Sequence, residues 1–590
     1  MKDLDELALQ YSRTLISNIP GISVLSDWRF ESTHTAILSI GISLKEDSLV
    51  EDIPNYTNWD LVVDFAEDQM GRVQMHPSLN ENGIASTFQH QQYNGRKHKL
   101  WSVRNGHICC LLNTHGLSMS RNALKIEPSY TIDRILWHSN RAIEWLESAS
   151  KGKLVNDGDY FELPDFNTQE KSDPRHLAYY ENTESFNLWS ESTTQFGVAT
   201  YSIDKYSIIV KKYSDAKGYE TIYEPNWGSY VQQLNNNRNA IWIKLNDVPV
   251  VKNWEVPHSL RELNDLLTKQ GINLDECIKA TIKNVNYCYE VLLFIGFPTP
   301  KKIGESNNKF HWQTIILGPS IKKNSRSSRS QLIINHIKTE SKINWIPQSQ
   351  NWHPEYLQNR GRVKKQLSDS KVLIGCGALG SNVAEQLVRM GVNNLILIDD
   401  QFFEAGNLVR HTLDIGSINM YKSVMLAEKL NRINPSAKIY SFTKSMPTDD
   451  KDILEKLIDI DLVLDFSASD KLISDFSSLK LSDDSLFVSC SMGLNASKLF
   501  FYAQTSKYFS NENFNNWFQP YRNQEHELVE KEDLPRGATC WHPLVPAPLN
   551  RIAAFSGIII ELIENIILNR NDKAVAICHE WEIPKIKYFE

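Results

Sequence analysis

Residues 371–413 read KVLIGCGALGSNVAEQLVRMGVNNLILIDDQFFEAGNLVRHTL, and Lys422 follows after a short further loop. The apolar run Val372–Ile374 has the composition of a buried parallel strand. Gly375, Gly377 and Gly380 then form GxGxxG, and a helix is expected to open near Ser381. Glycines let the backbone approach a phosphate closely, and amides at a helix start supply donors and partial positive charge. A second apolar strand, Leu395–Ile398, ends in Asp399, 24 residues beyond Gly375. An acid about 20 residues on is placed to bond a ribose hydroxyl.

The glycines alone also suit an NAD or FAD enzyme. Asn407, Leu408 and Arg410 shift the reading, as N-L-x-R beginning eight residues past Asp399, with Lys422 twelve residues after Arg410. A hydride-transfer cofactor has no use for these cations. A triphosphate attacked at its α-phosphorus does, because charge builds there and on the leaving pyrophosphate. The set resembles the adenylation domain of ubiquitin-activating enzymes and their bacterial relatives in thiamine and molybdopterin synthesis, over roughly residues 355–590. The resemblance implies ATP and Mg²⁺ as cofactors, with Gly375, Gly377 and Gly380 lining the nucleotide and Asp399 taking the ribose. It assigns the phosphates to Asn407, Arg410 and Lys422, although Lys422 sits one residue nearer to Arg410 than the family pattern. Asp465, closing the apolar run LVLD, is the expected magnesium acid; Asp470 is the alternative, and Ala468 stands where better-known relatives carry Asp. The family also draws a phosphate-binding arginine from a partner subunit. Arg360 and Arg362 are candidates, a solvated basic helix start being the other reading.

At 590 residues the chain is expected to hold three or four domains, and 41% hydrophobic content is that of a globular protein. The net charge of −8 gives no electrostatic support to nucleic-acid binding. MKDLDELALQ at the start is acidic and amphipathic, unlike a secretory signal, and Glu561 and Glu564 interrupt the apolar window 552–568, so no membrane span is expected. Eight cysteines are scattered without CxxC pairs, which points to the cytoplasm and away from a zinc site. Polar stretches at 164–175 and 322–350 read as linkers. They divide the chain into 1–166, 167–350 and 351–590. The middle part shows strands such as YSIIVKKY and AIWIKL, a helix pattern near 258–270 and no chemical motif.

In the first part, 34–42 and 59–65 read as strands and 130–150 as a helix, with Gly106-His107-Ile108-Cys109-Cys110 read as a strand between them. Two cysteines in an apolar strand are ordinarily core packing. The Gly-x-Ile-Cys spacing, with Trp137 and DGDYFELP at 157–164, resembles ubiquitin-conjugating enzymes and selects Cys109 as the nucleophile. That family carries His-Pro-Asn before its cysteine; here His76-Pro77-Ser78 replaces it, so no oxyanion donor is assigned. His107 and His115 are close in sequence and could tune the thiol.

A second thiol is needed if the adenylate passes to a thioester, since thiolates are good nucleophiles near neutral pH. Cys490 lies in an apolar strand, whereas Cys540 lies in the loop RGATCWHPLVPAP with His542 two residues on, ahead of a helix. Activating enzymes carry their thioester cysteine on such a crossing loop, so Cys540 takes that role. The expected fold is multidomain α/β and α+β: a Rossmann-like parallel-sheet domain at the carboxyl end, a ubiquitin-conjugating-like α+β domain at the amino end, and an α+β domain between. A conjugating-type part ahead of an activating-type part resembles bacterial fusions of anti-phage (CBASS) operons. That resemblance implies a homodimer, a cGAS-like nucleotidyltransferase as acyl donor, and a protein or small-molecule amine as acceptor. Two other readings stand: a peptide or sulfur-carrier adenylyltransferase without conjugation, and a non-catalytic nucleotide-binding scaffold.

Overall fold

The computed structural model describes all residues except 1–5, 67–70, 109–126, 170–172, 286–289, 319–330, 336–341, 359–360, 362–366, 368–371, 447–450, 452–454, 456–459, 478–484, 507, 533, 535–545, 570–572 and 583–590. The chain forms two compact units, residues 1–225 with 236–351, and residues 226–235 with 352–590.

The first unit begins with α1 (Glu6–Ser17), followed by β1 (Ile22–Val24), β2 (Arg29–Phe30), β3 (Thr35–Ser43), β4 (Tyr56–Asp64) and β5 (Arg72–Pro77). These strands pair antiparallel in the order β1-β3-β4-β5, with β2 beside β3. Helix α2 (Thr131–Ser150) buries Ile135, Trp145 and Leu146 in the same core as Trp59 and Leu61 of β4. The strand expected through His107 is not formed at its described start: Ile108 makes only an isolated bridge to Gln91, and Gly106 packs on Asn94.

A nine-stranded mixed sheet follows. It contains β6 (His176–Tyr179), β7 (Phe196–Asp204), β8 (Ser207–Ser214), β9 (Thr221–Tyr223), β10 (Arg238–Lys244), β11 (Val291–Pro300), β12 (Asn307–Gly318), β13 (Asn344–Ile346) and β14 (Gln348–Asn351). Helices α3 (Thr183–Glu191), α5 (Leu260–Lys269) and α6 (Leu274–Thr281) accompany it, while α4 (Ser229–Gln233), between β9 and β10, belongs to the second unit. Serine and asparagine side chains cap α5 and α6 at Ser259 and Asn273, satisfying amides that a helix start leaves open. The polar stretch 322–350 is not simply a linker: β13 and β14 lie within and just beyond it, because Trp345 and Ile346 are buried apolar anchors among polar neighbours. Phe166, in the other expected linker, is likewise buried, packed on Phe297 and Trp345.

The second unit is the α/β domain expected at the carboxyl end. β15 (Val372–Gly375), β16 (Asn394–Ile398), β17 (Lys438–Phe442), β18 (Leu462–Asp465) and β19 (Leu486–Met492) form a parallel sheet in the order β17-β16-β15-β18-β19. β20 (Lys498–Thr505) and β21 (Val575–Glu580) extend it antiparallel. Helices α7 (Ala378–Arg389), α8 (Lys422–Ile433), α9 (Asp470–Phe476), α10 (Asn511–Lys531) and α11 (Leu549–Leu568) complete the unit. Residues of α7 and α11 share one core with the strands, covering the apolar face that a parallel sheet must bury. Helix α7 starts at Ala378 rather than near Ser381. Gly377 is its cap, and Gly380 already lies in its first turn, where an added Cβ would sit 1.8 Å from the Gly375 carbonyl oxygen. Only glycine lets the helix start that close to the strand.

Among the described residues, no helix is long and apolar enough to cross a membrane.

Candidate active site

The carboxyl ends of parallel strands open onto a crevice where ligands bind in this type of sheet. Here that place is a cavity of about 580 Å³, walled by Gly375 and Gly377, by Asp399 after β16, Lys444 after β17, Asp465 at the end of β18 and Lys471 on α9, among others. The glycine turn lies against the turn after β18, since Cβ atoms at Gly375 and Gly377 would each meet the Phe466 backbone at 3.7 Å.

Asp399 faces this space from the end of its strand. Its Oδ1 accepts from the Gln401 amide at 2.8 Å, and the Cys376 amide of the glycine turn also donates to it. Burial pushes its carboxyl above the usual range, while these amides and the Lys422 charge pull it back. Lys422 is the first residue of α8, nearly buried, and its Nζ donates to Gln401 Oε1 at 2.8 Å. It therefore reaches the cavity wall through Gln401.

The N-L-x-R segment forms a tight turn behind the wall. Asn407 Oδ1 accepts from the Glu404 amide at 3.0 Å, and the Arg410 carbonyl accepts from Asn382 Nδ2 of α7 at 3.3 Å. Among the described residues of the wall, Gly375, Gly377, Asp399 and Asp465 are present; Gly380, Asn407, Arg410 and Lys422 stand just off it.

Asp465 is almost wholly buried. Its Oδ1 accepts from the Ser467 amide at 2.9 Å and the Ser467 hydroxyl at 2.6 Å, and its Oδ2 from the Ser489 hydroxyl at 2.8 Å. Burial raises this carboxyl and the serine bonds oppose the rise. Asp470 is turned elsewhere: it pairs with Arg522 at 2.7 Å and lines a second cavity of about 210 Å³ floored by Phe514 and Phe518 of α10. No group of three acidic, histidine or cysteine side chains suited to a metal occurs among the described residues. Magnesium needs no such cage, since it is commonly held by one or two carboxylates, waters and the nucleotide's own phosphates. Asp465 fits it in that limited way; Asp470 does not.

Cys109, Cys110, His115, Cys540, His542, Arg360 and Arg362 lie outside the described residues. Residues that precede Cys109 in the sequence are described. His76 is fully buried with Nδ1 2.7 Å from the Arg104 carbonyl, and its ring lies 5.3 Å from that of His107. Burial lowers the His107 imidazole to about 4, with the Arg72 charge adding to the effect, so it is neutral at physiological pH. Ser78 turns inward: its hydroxyl accepts from the Asn80 amide at 3.3 Å and its carbonyl from Arg104 Nε at 2.9 Å. Trp137 lies on α2, its ring edge-on to His138. Cys490 is buried in β19, and burial pushes its thiol far up.

Three residues went unread in the sequence. Lys444 and Lys471 follow the carboxyl ends of β17 and β18, which is the signal that could have found them. His411 follows Arg410, and its Nε2 lies 2.9 Å from the Cys376 carbonyl.

Residues 152–352 match the family described as the Cap2 central linker domain, and 355–510 match the ThiF family. The chain is 28% identical over 575 residues to the ATP-dependent ubiquitin transferase-like protein Cap2 of Enterobacter hormaechei subsp. hoffmannii (strain UCI 50), covering 93% of this chain and 92% of that protein. It is 36% identical over 101 residues to the molybdopterin-synthase adenylyltransferase of Escherichia coli (strain K12), covering 17% of this chain and 40% of that one. A crystal structure of E. coli MccB with AMPCPP and MccA aligns at 14% identity and a TM-score of 0.27, covering 44% of this chain and 72% of that one. The chain is therefore similar to Cap2 along nearly its whole length, with a part that matches the Cap2 central linker followed by a ThiF-type adenylation domain.

Proposed function

We propose that this ATP-dependent adenylyltransferase, which is ubiquitin transferase-like, activates the C-terminal carboxylate of a partner protein and ligates it to an amine. The observation carrying the reading is the cavity at the strand ends, where the glycine turn and Asp399 meet. A carboxylate oxygen of the partner attacks the α-phosphorus of ATP, the bond to the β-phosphate oxygen breaks, and pyrophosphate leaves. Arg410 and Lys422 stabilise the charge that builds up, with Asn407 also holding the phosphates, Gly375, Gly377 and Gly380 line the nucleotide, and Asp399 holds the ribose. Asp465 would hold magnesium, which when bound would supply neutralisation of phosphate charge. The Cys540 thiolate then attacks the acyl carbon and AMP leaves. Cys109 takes the acyl group by thioester exchange, and an amine finally displaces it to form an amide.

The acyl donor that fits the fusion is a cGAS-like nucleotidyltransferase of an anti-phage system, with a protein or small molecule supplying the amine. Scattered, unpaired thiols suit a cytoplasmic setting. We read the working form as a homodimer through the adenylation domains, as the resemblance to activating enzymes implies. The same proposal sets the domain limits at 1–166, 167–350 and 351–590. ATP–pyrophosphate exchange stimulated by the partner, followed by a reductant-sensitive adduct, is the test. Absence of both with an intact partner tail would overturn the reading.

A further inference from the structure

The cations foreseen for the triphosphate stand off the cavity wall, whereas two others are on it. Among the described residues, the wall is lined by the acidic residues Asp399, Asp400, Asp465 and Asp475 and by the basic residues Lys444 and Lys471. A triphosphate brought against those carboxylates is repelled unless a cation faces it, since opposed unit charges a few ångströms apart interact by kilocalories outside bulk water. Lys422 already donates to Gln401.

The two wall lysines occupy different ends. Lys444 follows β17, which pairs with β16, the strand bearing Asp399 and hence the ribose end. Lys471 follows β18, whose turn lies against the glycine turn, with Cβ positions of Gly375 and Gly377 3.7 Å from the Phe466 backbone. Glycine turns of this kind take the phosphates. Ser467, Ala468 and Ser469 add no charge between Asp465 and Lys471's helix, and the neighbouring Asp470 is paired with Arg522 at 2.7 Å. Asp470 is thus engaged by Arg522 rather than by Lys471.

We infer that Lys471 is a phosphate-binding residue of the nucleotide site, contacting the triphosphate from the first turn of α9. This rests on the reading that the cavity takes ATP, and the test separates the two. Binding of ATP, AMP and adenosine to the full-length protein is measured by calorimetry for the wild type, Lys471→Ala, Lys471→Arg and Lys444→Ala, each checked for an unchanged melting temperature. Lys471→Ala is expected to weaken ATP about tenfold or more, the scale of one charge-assisted contact, and AMP less. Adenosine should be unaffected, and Lys471→Arg should restore most of the ATP affinity. Lys444→Ala should change ATP and adenosine by the same factor. An unchanged ATP affinity in Lys471→Ala, or an equal loss for ATP and adenosine, overturns the inference while leaving ATP use intact. Failure of the wild type to bind ATP overturns the reading beneath it.

Discussion

His411 Nε2 lies 2.9 Å from the carbonyl oxygen of Cys376, tying the turn after Arg410 to the glycine turn. The Leu413 amide donates to the other ring nitrogen, Nδ1, at 3.1 Å, so Nε2 carries the proton and donates to Cys376. One neutral imidazole thereby joins the two loops that must face the same nucleotide.

Burial lowers the His411 imidazole from 6.5 to about 4, with the bond to Cys376 opposing and the Lys422 charge assisting. A folded value below the unfolded one means that the stabilisation is complete above pH 6.5 and is lost as pH falls through about 4. The loss is on the order of 3 kcal/mol at most. Amide protection factors at Gly375–Gly380, taken relative to the intrinsic exchange rate at each pH, should fall between pH 6.5 and pH 4.5 in the wild type. In His411→Ala they should already be low at pH 7, with a flatter pH dependence. Equal pH slopes in the two proteins would remove His411 from this role.

Arg410→Ala and Lys422→Ala should each lower partner-dependent ATP–pyrophosphate exchange by about 10²–10³-fold, the size of losing one preorganised donor. Lys422→Ala carries a second expected effect, since Gln401 loses its partner and the Asp399 loop its brace. Normal exchange in both variants would sink the phosphate assignment.

Cys540 is expected to hold the acyl group before Cys109. Cys540→Ala should still form the adenylate yet give no adduct at either cysteine, and Cys109→Ala should trap a reductant-sensitive thioester at Cys540. Mass spectrometry of the trapped species reads the order. A loaded Cys109 in the Cys540→Ala protein would reverse it.

Of the adjacent thiols, Cys109 is the one expected to conjugate. Cys109→Ser should abolish transfer to an amine, with a slower oxyester trapped in its place, while Cys110→Ala keeps transfer and costs about 1 kcal/mol of stability. Conjugation by Cys109→Ser together with its loss in Cys110→Ala would shift the assignment by one residue.

The middle domain has its own titrating group. Glu181 is buried among Trp189, Tyr213 and Trp312, accepting from both indole nitrogens (3.0 and 2.7 Å) and from the Ser185 hydroxyl. Burial raises its carboxyl to about 7, while the Ser185, Trp312 and Trp189 bonds hold it down. The folded value exceeds the ordinary 4.5, so the stabilisation is present below pH 4.5 and lost as pH rises through about 7. Glu181→Gln, which mimics the protonated form, should raise the melting temperature more at pH 8 than at pH 5. The reverse order would mean that folding lowers the Glu181 carboxyl instead of raising it.

The glycine turn, Asp399 and Asp465 were legible because a parallel strand announces itself by an apolar run and ends at the ligand crevice. Lys444 and Lys471 were not, since only folding brings the strand from 462 beside β15 and the strand from 438 beside β16. The wrong helix start came from treating Gly380 as loop, when its missing side chain is what admits the helix against Gly375. Trp345 and Phe166 misled similarly: single large anchors inside polar stretches make core, yet carry no periodicity. The Ser78 substitution was read with no oxyanion donor assigned, and its hydroxyl is engaged with Asn80.

The short helix α4 has a consequence for how such a protein can be taken apart or recombined. The chain leaves the first unit at residue 225, spends ten residues in the second, and returns at 236. In the second unit the Gly228 amide donates to the Pro435 carbonyl at 2.7 Å, Trp227 is buried, and a Cβ on Gly228 would lie 2.3 Å from the Ala437 carbonyl oxygen. No single cut in the chain can therefore separate the activating domain whole. A fragment starting at 352 lacks Trp227 and leaves its seat open, and a chimera joined at that point would marry a foreign linker to a surface shaped for this one. Exchange between relatives would have to carry residues 226–235 along with the domain they complete.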